Sequence, residues 1–354
     1  MPSISPQEQQ TAILIIRRDN IGDLLCTTPL ISELRKRHPA ARIDALVNSY
    51  NAPVLDENPD LDHVYFYTKA KHRAAGETVP GVYWRRLMLM LSMRQAKYNQ
   101  VYLASDGNIE RQMKLARWLG AASVIGFKPA SGEPPAGLSI QITRKESGHE
   151  VERCWALLAE SAGAETPGPM TLRPSAGQAQ AIRQRLAAMP WYNPEKPVLA
   201  IHISARKIPQ RWPVPSFVAL MQGLHQRFEA QFVLFWSPGD EDNPLHPGDD
   251  RKAAAILEAA AGLPVLPYPT AQLAELTGGL SACQTMICSD GGAMHMGAAL
   301  GLSIISFFGN SDAGRWFPWG VPHELLQKPS RNVTDISVEE ALAAYQRLQA
   351  RITR

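Results

Sequence analysis

A glycine turn that carries one acid stands out among the polar segments of this sequence. Asp290-Gly291-Gly292 lies between two apolar runs, residues 285–288 and 303–308, that are typical of buried strands. Two adjacent glycines let the backbone turn sharply and approach a ligand closely. A short helix is predicted after the turn, with Asp290 as its cap and His295 on its first turn; its free N–H groups suit a phosphate or pyrophosphate. An ordinary strand–helix–strand crossover explains the same residues.

A loop rich in cations follows another apolar run, residues 197–203. This basic loop, residues 204–213, contains one hydroxyl group and three cations that are candidate ligands: Ser204, Arg206, Lys207 and Arg211. Cations at the carboxyl end of a predicted strand suit the phosphates of a nucleotide diphosphate. The alternative is a solvated basic loop without a ligand.

Two acids follow the next predicted strand, residues 232–236. Asp240 and Glu241 stand at a turn where carboxylates commonly accept hydrogen bonds from ribose hydroxyls. Tyr268 follows a short predicted strand at Val265 and is a further candidate ligand of this predicted nucleotide site. A divalent cation is the alternative ligand for the acids, but such sites usually need oxygen ligands from elsewhere, and the sequence shows no clear partner.

Another candidate site follows residues 11–16, a continuous apolar run typical of a strand buried on both faces of a parallel sheet. Ligands of such sheets lie beyond the carboxyl ends of the strands, which places Asn20, Gly22 and Asp23 well for binding or chemistry. Asp23 is either a reactive carboxylate or a cap of the helix that follows. The segment lacks the GxGxxG pattern, which argues against a dehydrogenase-like dinucleotide fold.

Residues 68–98 form a basic stretch with a local net charge of +6, whereas the whole chain carries only +3. The cations of its first half are Lys69, Lys71 and Arg73, and Arg85 and Arg86 follow beside apolar side chains. The stretch is either a solvated loop with a surface helix or a contact for an anionic, amphiphilic partner, such as a phosphorylated acceptor or a leaflet surface. Its aromatic residues are not interleaved as an RNA-stacking platform would require.

The composition narrows the class of protein. The chain has 354 residues, which predicts two domains of ordinary size, and its charge is nearly balanced, so nothing points to nucleic acid. Its four cysteines are scattered without metal-ligand spacing and predict a reduced, cytoplasmic protein. The polar N-terminus argues against a signal peptide, and no apolar run reaches the ~20 residues of a membrane span.

Strands and helices alternate along both halves, which predicts parallel βαβ units and an α/β fold. Proline and glycine are dense in residues 163–174, as in an interdomain linker. The predicted domains are therefore residues 1–170, residues 171–333 and a final helix within residues 334–354. Ser337 and Glu340 have the spacing of a capping box at the start of that helix.

At the level of motifs the chain resembles glycosyltransferase family 9, the heptosyltransferases of lipopolysaccharide core assembly. The resemblance covers nearly the whole chain and rests on the order and spacing of short motifs. These are Ile21-Gly22-Asp23, Thr28-Pro29-Leu30, Leu34-Arg35, Pro39-Ala40, Asn58-Pro59, Asp62-His63-Val64, Ser289-Asp290-Gly291-Gly292, His295, Ala298-Ala299-Leu300-Gly301, Phe308-Gly309, Pro318-Trp319-Gly320, Asp335-Ile336 and Val338-Glu339-Glu340.

The resemblance implies a GT-B architecture, with two Rossmann-like domains facing a central cleft and a C-terminal helix that returns toward the N-terminal domain. It implies an inverting transfer of heptose from ADP-heptose to a sugar hydroxyl, with no metal and no cofactor. Asp23 becomes the general base under this resemblance, a role that needs one carboxylate within hydrogen-bond reach of the acceptor hydroxyl. The glycine turn and the basic loop become the donor site that stabilises the departing diphosphate.

The implied partners are a nucleotide sugar such as ADP-heptose and an anionic, lipid-linked glycan acceptor bound by the N-terminal half. The implied location is cytoplasmic, with transient contact to the inner face of the inner membrane and with no nucleic acid.

Two positions depart from the usual pattern of the family. Gln210 stands where a lysine commonly precedes the tryptophan and proline that match Trp212-Pro213, and Gly291 replaces the threonine of an Asp-Thr-Gly turn. An altered donor sugar and simple drift within the family both explain these changes. A nucleotide-sugar epimerase or hydrolase of the same architecture and a non-catalytic nucleotide-sugar-binding protein are the alternative functions.

Overall fold

The computed structural model describes residues 11–67, 78–105, 109–129, 133, 136–143, 147–161, 166–243 and 247–353. The chain divides into two compact units, Met1–Thr171 and Leu172–Arg354. Residues 166–174, in the predicted linker, form neither helix nor strand. The sequence places the same boundary one residue earlier.

The first unit contains a parallel six-stranded sheet and five α-helices among its described residues. The strands are β1 (Ala12–Ile16), β2 (Arg42–Asn48), β3 (His63–Tyr67), β4 (Gln100–Leu103), β5 (Ser123–Phe127) and β6 (Ile140–Ile142). The helices are α1 (Ile21–Leu25), α2 (Thr28–Arg37), α3 (Val79–Gln95), α4 (Ile109–Leu119) and α5 (Glu150–Trp155). The order of the strands across the sheet is β3-β2-β1-β4-β5-β6.

The central strand β1 has a core on each of its faces. Ile13 and Ile15 pack in one hydrophobic cluster, whereas Leu14 and Ile16 pack in another. Burial on both faces explains why this strand reads as an uninterrupted apolar run. Pro29 is at the second position of α2, where its missing N–H costs no helical bond, so the helix begins there after a break behind α1.

The second unit contains another parallel six-stranded sheet. Its strands are β7 (Val198–His202), β8 (Gln231–Trp236), β9 (Val265–Pro269), β10 (Thr285–Ser289), β11 (Ser303–Phe308) and β12 (His323–Gln327). Its helices are α6 (Ala176–Ala187), α7 (Val214–Phe228), α8 (Asp250–Ala259), α9 (Leu273–Leu280), α10 (Gly292–Ala299), α11 (Ala313–Trp316) and α12 (Val338–Ile352). The order of the strands is β12-β11-β10-β7-β8-β9.

Both sheets share one topology. Numbered within its own unit, each sheet has the order 3-2-1-4-5-6, which is the order of the dinucleotide-binding α/β fold. The chain reverses its direction of winding between β1 and β4 in the first sheet and between β7 and β10 in the second. Ligands of such sheets bind in the crevice at that reversal, beyond the carboxyl ends of the strands. The predicted alternation of strands and helices is therefore confirmed.

The final helix α12 is part of the second unit. Leu342, Tyr345 and Leu348 are buried in that unit's hydrophobic cluster, and Ser337 with Glu340 forms the predicted capping box. The sequence analysis treats residues 334–354 as a separate segment. In the structure the helix packs within the second unit, because its apolar face covers α7 and β12. A return of the helix toward the first half stays a prediction.

Two strands depart from the sequence prediction. Residues 128–148 are predicted to be a loop because of their prolines and glycines, yet Ile140–Ile142 pairs in parallel with β5 as an edge strand. The strand β12 pairs with β11 although its sequence, HELLQ, lacks a continuous apolar run. Edge strands have fewer neighbours and carry a weaker apolar pattern, which explains both omissions. In the described residues, no helix is both long and apolar enough to cross a membrane.

Candidate functional site

Three residues after β1 and the first residue of α5 form an ionic group around a buried arginine, which we term the carboxylate cluster: Arg17, Asp19, Asp23 and Glu150. The Arg17 side chain is 1% exposed, and its Nη2 atom donates to Asp23 Oδ1 at 2.7 Å and to Glu150 Oε1 at 2.9 Å. Its Nε atom lies 3.1 Å from Asp19 Oδ2. A charge taken out of water is tolerated only with such partners. The cluster therefore fixes the carboxylate of Asp23 in one position.

Asp23 is held from its other side by the start of α1. Its Oδ2 atom accepts hydrogen bonds from the Asn20 backbone N–H at 3.1 Å and from Asn20 Nδ2 at 2.9 Å. Asn20 is the N-cap of α1 and Asp23 is its third residue, so Asp23 is not the cap itself but forms a capping box with Asn20. Its side chain is nevertheless 14% exposed, which leaves a fixed carboxylate within reach of a ligand.

The loop between β1 and α1, just before Asp23, is supported by two asparagines: Asn48, the last residue of β2, and Asn51 after that strand. Asn51, which is fully buried, donates from Nδ2 to the Asp19 carbonyl at 3.1 Å, and Asn48 donates to the Arg18 carbonyl. These amide groups replace regular backbone pairing in a segment that belongs to no strand. The loop is thus held in place rather than loosely solvated.

A pair of cations surrounds Tyr67, the last residue of β3. Arg18 Nη1 donates to the Tyr67 hydroxyl at 2.8 Å, and the Arg86 guanidinium carbon lies 4.8 Å from the centre of the ring. This contact joins α3 to the loop after β1. Of the predicted acceptor residues, Asn20 and Gly22 lie beside Asp23 at the start of α1, and Arg85 and Arg86 are exposed on α3. Lys69, Lys71 and Arg73 lie outside the described residues.

In the second unit, Gln210 connects the loops that follow β7, β10 and β11. Its Nε2 atom donates to Asp290 Oδ2 at 2.9 Å and to Ser311 Oγ at 3.1 Å. Its carbonyl accepts a hydrogen bond of 2.6 Å from Ser289 Oγ. The basic loop and the glycine turn, which the sequence assigns to one site, are therefore adjacent at the reversal between β7 and β10.

Asp290 does not cap α10 as the sequence predicts. Its carboxylate accepts from Gln210, and Gly291 is the cap residue without a side-chain bond. Burial raises the pKa of Asp290, and Ser311, Lys207 and Gln210 offset part of that effect. The first N–H groups of α10 thus have no side-chain cap in the described structure and remain available to an anion.

Gly291 is not required by the backbone. Its φ of 163° is extended, a conformation open to any residue, and a Cβ atom built there meets no atom within 4 Å. The expectation that the turn depends on two glycines for its geometry is therefore wrong at this position. The backbone conformation therefore does not explain why a glycine stands at position 291.

The cations of the basic loop have different surroundings. Arg206 and Lys207 are exposed and form no ion pair with any described residue, whereas Arg211 Nε donates to the Ala205 carbonyl at 3.0 Å. Ser204 Oγ accepts from the Ser237 backbone N–H at 2.9 Å, which joins the basic loop to the loop after β8. Arg206 and Lys207 are the cations best placed to accept a mobile anionic ligand.

The remaining predicted donor residues lie after β8 and at the end of β9. Asp240 pairs with Arg251 at 3.0 Å, and Glu241 is half-buried beside it in sequence. Tyr268 is 7% exposed and packs between Phe235 and the guanidinium of Arg185. His295 is also buried, with its ring 5.9 Å from that of Trp316 in an edge-on contact.

Sequence reasoning missed a buried polar group beneath the basic loop. Lys252 Nζ donates to the Ile203 carbonyl at 3.0 Å, and burial lowers the pKa of this lysine to about 8. Burial also raises the pKa of Asp249, whose carboxylate bonds with Ser204. Burial lowers the pKa of His202 to about 4, with a smaller contribution from Lys252. His202 ends β7, Asp249 is the N-cap of α8, and Lys252 lies in that helix.

Sequence reasoning also missed the pairing of Arg17 with Glu150. The two residues are separated by 133 residues in the chain, so no local pattern connects them. A signal was present at Arg17, because an arginine directly after a buried strand needs a partner. Gln210 was noted only as a departure from a family pattern, whereas its amide group links three loops.

The sequence model described as glycosyltransferase family 9 (heptosyltransferase) matches residues 86–345 of this chain. The chain belongs to glycosyltransferase family 9. Lipopolysaccharide heptosyltransferase 3 of Escherichia coli is 24% identical to this family 9 glycosyltransferase over 314 residues, which cover 84% of the chain and 83% of the relative. Lipopolysaccharide heptosyltransferase 1 of Pseudomonas aeruginosa is 24% identical over 308 residues, 85% of the chain and 79% of the relative.

Solved structures share the fold of this family 9 glycosyltransferase. A family 9 glycosyl transferase from Veillonella parvula superposes with a TM-score of 0.80 at 17% identity, over 97% of this chain and 98% of that one. E. coli ADP-heptose lps heptosyltransferase II superposes with a TM-score of 0.73 at 20% identity, over 97% and 100% of the two chains. E. coli heptosyltransferase WaaC, solved with ADP, gives 0.73 at 17% identity, over 96% and 100%. The predicted GT-B class with two Rossmann-like sheets is confirmed.

Among the described residues, no group of three or more histidine, cysteine, aspartate or glutamate side chains could hold a metal ion. Asp240 and Asp242, two of the acids after β8, pair with Arg251 instead.

Proposed function

We propose that this family 9 glycosyltransferase moves a heptose from ADP-heptose to a hydroxyl of a lipopolysaccharide-core or related surface-glycan acceptor. The transfer inverts the anomeric centre and requires no metal. The observation that carries the proposal is the carboxylate of Asp23, fixed between Arg17 and Asn20 and still partly exposed. It lies at the carboxyl end of β1, where ligands of this sheet topology bind.

Asp23 is the general base of the proposed reaction. Its carboxylate takes the proton of the acceptor hydroxyl as the hydroxyl oxygen forms a bond to the anomeric carbon of the donor. The bond between that carbon and the diphosphate oxygen breaks at the same time, and ADP leaves with the electron pair. A carboxylate that is already oriented needs no reorganisation during this step, which is how a positioned base accelerates a reaction.

The second unit is proposed to bind the donor and to stabilise the leaving diphosphate. The first N–H groups of α10 offer donors to phosphate oxygens, and Arg206 and Lys207 supply positive charge without competing ion pairs among the described residues. Ser204, Arg211, Asp240, Glu241, Tyr268 and His295 complete the proposed donor site. Two cations and a helix end can take the place that a metal ion has in other sugar-nucleotide enzymes.

The first unit is proposed to bind the acceptor. Asn20 and Gly22 lie beside Asp23 at the start of α1, and Arg18 and Arg86 flank Tyr67. Guanidinium groups suit the phosphates of an anionic glycan, because each presents several donors in a fixed plane.

Transfer by the Asp23→Asn variant tests the assignment of the base. Asparagine keeps the bond from Arg17 but cannot accept a proton, so we expect kcat to fall by about 10²–10⁴-fold. Asp19→Asn is the matched control, since it removes the same charge from the same cluster and should keep most of the activity. Equal losses in both variants would show that the cluster needs its charge and that Asp23 is not the base.

Thermal shift with ADP, UDP and GDP tests the assignment of the donor. ADP should raise the Tm of the wild type and of Asp23→Asn equally without Mg²⁺, because binding only to the folded state stabilises it. A shift with UDP or GDP alone would overturn the ADP-sugar assignment. Consumption of donor without acceptor would indicate an epimerase or hydrolase, and binding without any turnover would indicate a non-catalytic protein.

A further inference from the structure

Four large apolar side chains are exposed along one side of α3. Trp84, Leu87, Met88 and Leu91 are 63%, 43%, 49% and 41% exposed. Their spacing of three, four and seven residues places them on one stripe of a helix. Single exposed apolar residues are common, but a contiguous stripe over two turns marks a contact surface. We term this stripe the apolar face of α3.

The opposite side of α3 is attached to the first unit. Met93 is 1% exposed in that unit's core, and the half-buried Leu89 packs against the same cluster. Arg86, on the same side of the helix, stacks on Tyr67. The helix is thus held with its apolar face outward.

Cations border the apolar face on both sides. At about 100° per residue, Arg85 falls on one margin of the stripe and Arg94 on the other. Both side chains are exposed, and Arg94 Nη1 also donates to the Trp118 carbonyl at 2.7 Å. The α3 sequence, VPGVYWRRLMLMLSMRQ, contains three arginines and no acidic residue. A complementary surface must therefore be apolar at its centre and anionic on both sides.

We propose that α3 docks on the anionic leaflet of a lipid bilayer. The apolar face enters the boundary between head groups and acyl chains, and Arg85 and Arg94 contact lipid phosphates. This arrangement of an apolar stripe with flanking cations is how helices bind in the plane of a membrane surface. A protein partner is a poorer match, because four side chains on two turns cover far less than the ~800 Å² that each partner of a stable complex buries.

The docking proposal adds a membrane partner to the proposed function. The proposal rests on that function in one respect, namely that the acceptor is lipid-linked and hence located in the leaflet. The first unit would then meet its acceptor by diffusion in the plane of the membrane rather than from solution.

Co-sedimentation with vesicles tests the docking. The full chain should bind vesicles of phosphatidylglycerol and phosphatidylcholine, bind pure phosphatidylcholine weakly, and lose most binding at ~1 M salt, where charge attraction extends only about 3 Å. Leu87→Ser with Met88→Ser should lower partitioning at least about tenfold. Ile352→Ser, which removes a 45% exposed side chain from α12, is the matched control and should bind as the wild type does.

Fluorescence identifies the docking face independently of affinity. Brominated acyl chains should quench part of the tryptophan emission of the wild type. Trp84→Phe should bind vesicles within about threefold of the wild type, since phenylalanine keeps the apolar contact, and should lose that quenching. Unchanged binding by the Leu87→Ser, Met88→Ser variant, or unchanged quenching in Trp84→Phe, would overturn the proposal. Self-association through the same residues without vesicle binding would overturn it in favour of a protein contact.

Activity assays separate this proposal from the proposed function. The Leu87→Ser, Met88→Ser variant should transfer heptose to a delipidated acceptor at the wild-type rate and should lose activity only on acceptor in vesicles. Vesicle binding without transfer by the wild type would contradict the proposed function alone. Transfer without vesicle binding would contradict the docking alone.

Discussion

One guanidinium, that of Arg17, serves three carboxylates at once. Arginine can do this because its planar group carries five donors in a fixed arrangement, whereas a lysine offers a single point of charge. Glu150 is the innermost of the three acids, with a side chain only 1% exposed, and Asp23 is the one proposed to react. The role of Glu150 is therefore that of a positioning residue, which orients Arg17 and through it Asp23.

Glu150→Gln should destabilise the protein by about 2–3 kcal/mol, because a buried guanidinium loses one charged partner while it keeps the others. Urea unfolding measures this change. We also expect kcat for transfer to fall while the affinity for ADP stays the same, since the cluster lies in the first unit. A loss of ADP affinity of the same size would show that Glu150 acts on the whole protein and not on Asp23.

At the residue scale, the sequence indicated the acid that we propose as the base but not its support. The position of Asp23 was predictable because a carboxylate in the segment that follows a buried strand lies where this fold binds ligands. Arg17, Glu150 and Asn51 come from distant segments, and their contacts exist only after the sheet has formed. The neutral Gln210 was seen as a substitution, but its bond to Asp290 required the geometry of three loops.

At the scale of elements, close backbone packing fixes the loops beyond β7 and β11. A Cβ atom at Gly309 would lie 2.8 Å from the Pro209 carbonyl oxygen and 3.3 Å from the Arg331 carbonyl oxygen. Both neighbours are backbone atoms, so a side chain cannot be accommodated by a rotamer change. Gly309 lets β11 end against the segment that carries Gln210.

Gly309→Ala should therefore displace residues 208–210 and lower the free energy of unfolding by about 1–3 kcal/mol. ADP binding should weaken with it, because Gln210 and the basic loop move together. Gly177→Ala in α6 is the control, since a Cβ atom there meets nothing within 4 Å and helix propensity favours alanine by about 1 kcal/mol. Calorimetry on both variants, with and without ADP, measures the effects, and equal ADP affinity in Gly309→Ala would contradict the coupling.

Whether a strand could be predicted from the sequence depended on its position in the sheet. Central strands such as β1, β7 and β10 are buried on both faces and read as apolar runs, so the sequence indicated them clearly. The edge strands β6 and β12 have mixed composition and were missed. The alternation of central strands with helices was enough to predict the α/β class without them.

At the scale of the whole molecule, acid should weaken the fold through His202. The pKa of this buried histidine is about 4, whereas its ordinary value is near 6.5. Between these values the unfolded chain binds more protons, so the free energy of unfolding falls as the pH falls, by up to about 3 kcal/mol from this group. The raised pKa values of Asp249 and Asp290 act in the opposite direction, because protonation costs the folded state less.

His202→Leu isolates this contribution. Urea unfolding between about pH 7 and about pH 5 should show a smaller loss of stability in the variant than in the wild type, since leucine cannot take up a proton. Identical pH dependence in both proteins would show that His202 is not a source of the acid sensitivity.

The repeated strand order bears on how specificity can evolve in this protein. Each unit has its own hydrophobic core and its own crevice, although the order of strands is the same. Under the proposed function, one crevice selects the acceptor and the other selects the donor. Because each unit has its own core, a substitution in one crevice acts first on the packing of its own unit, so selection can alter the two preferences one at a time.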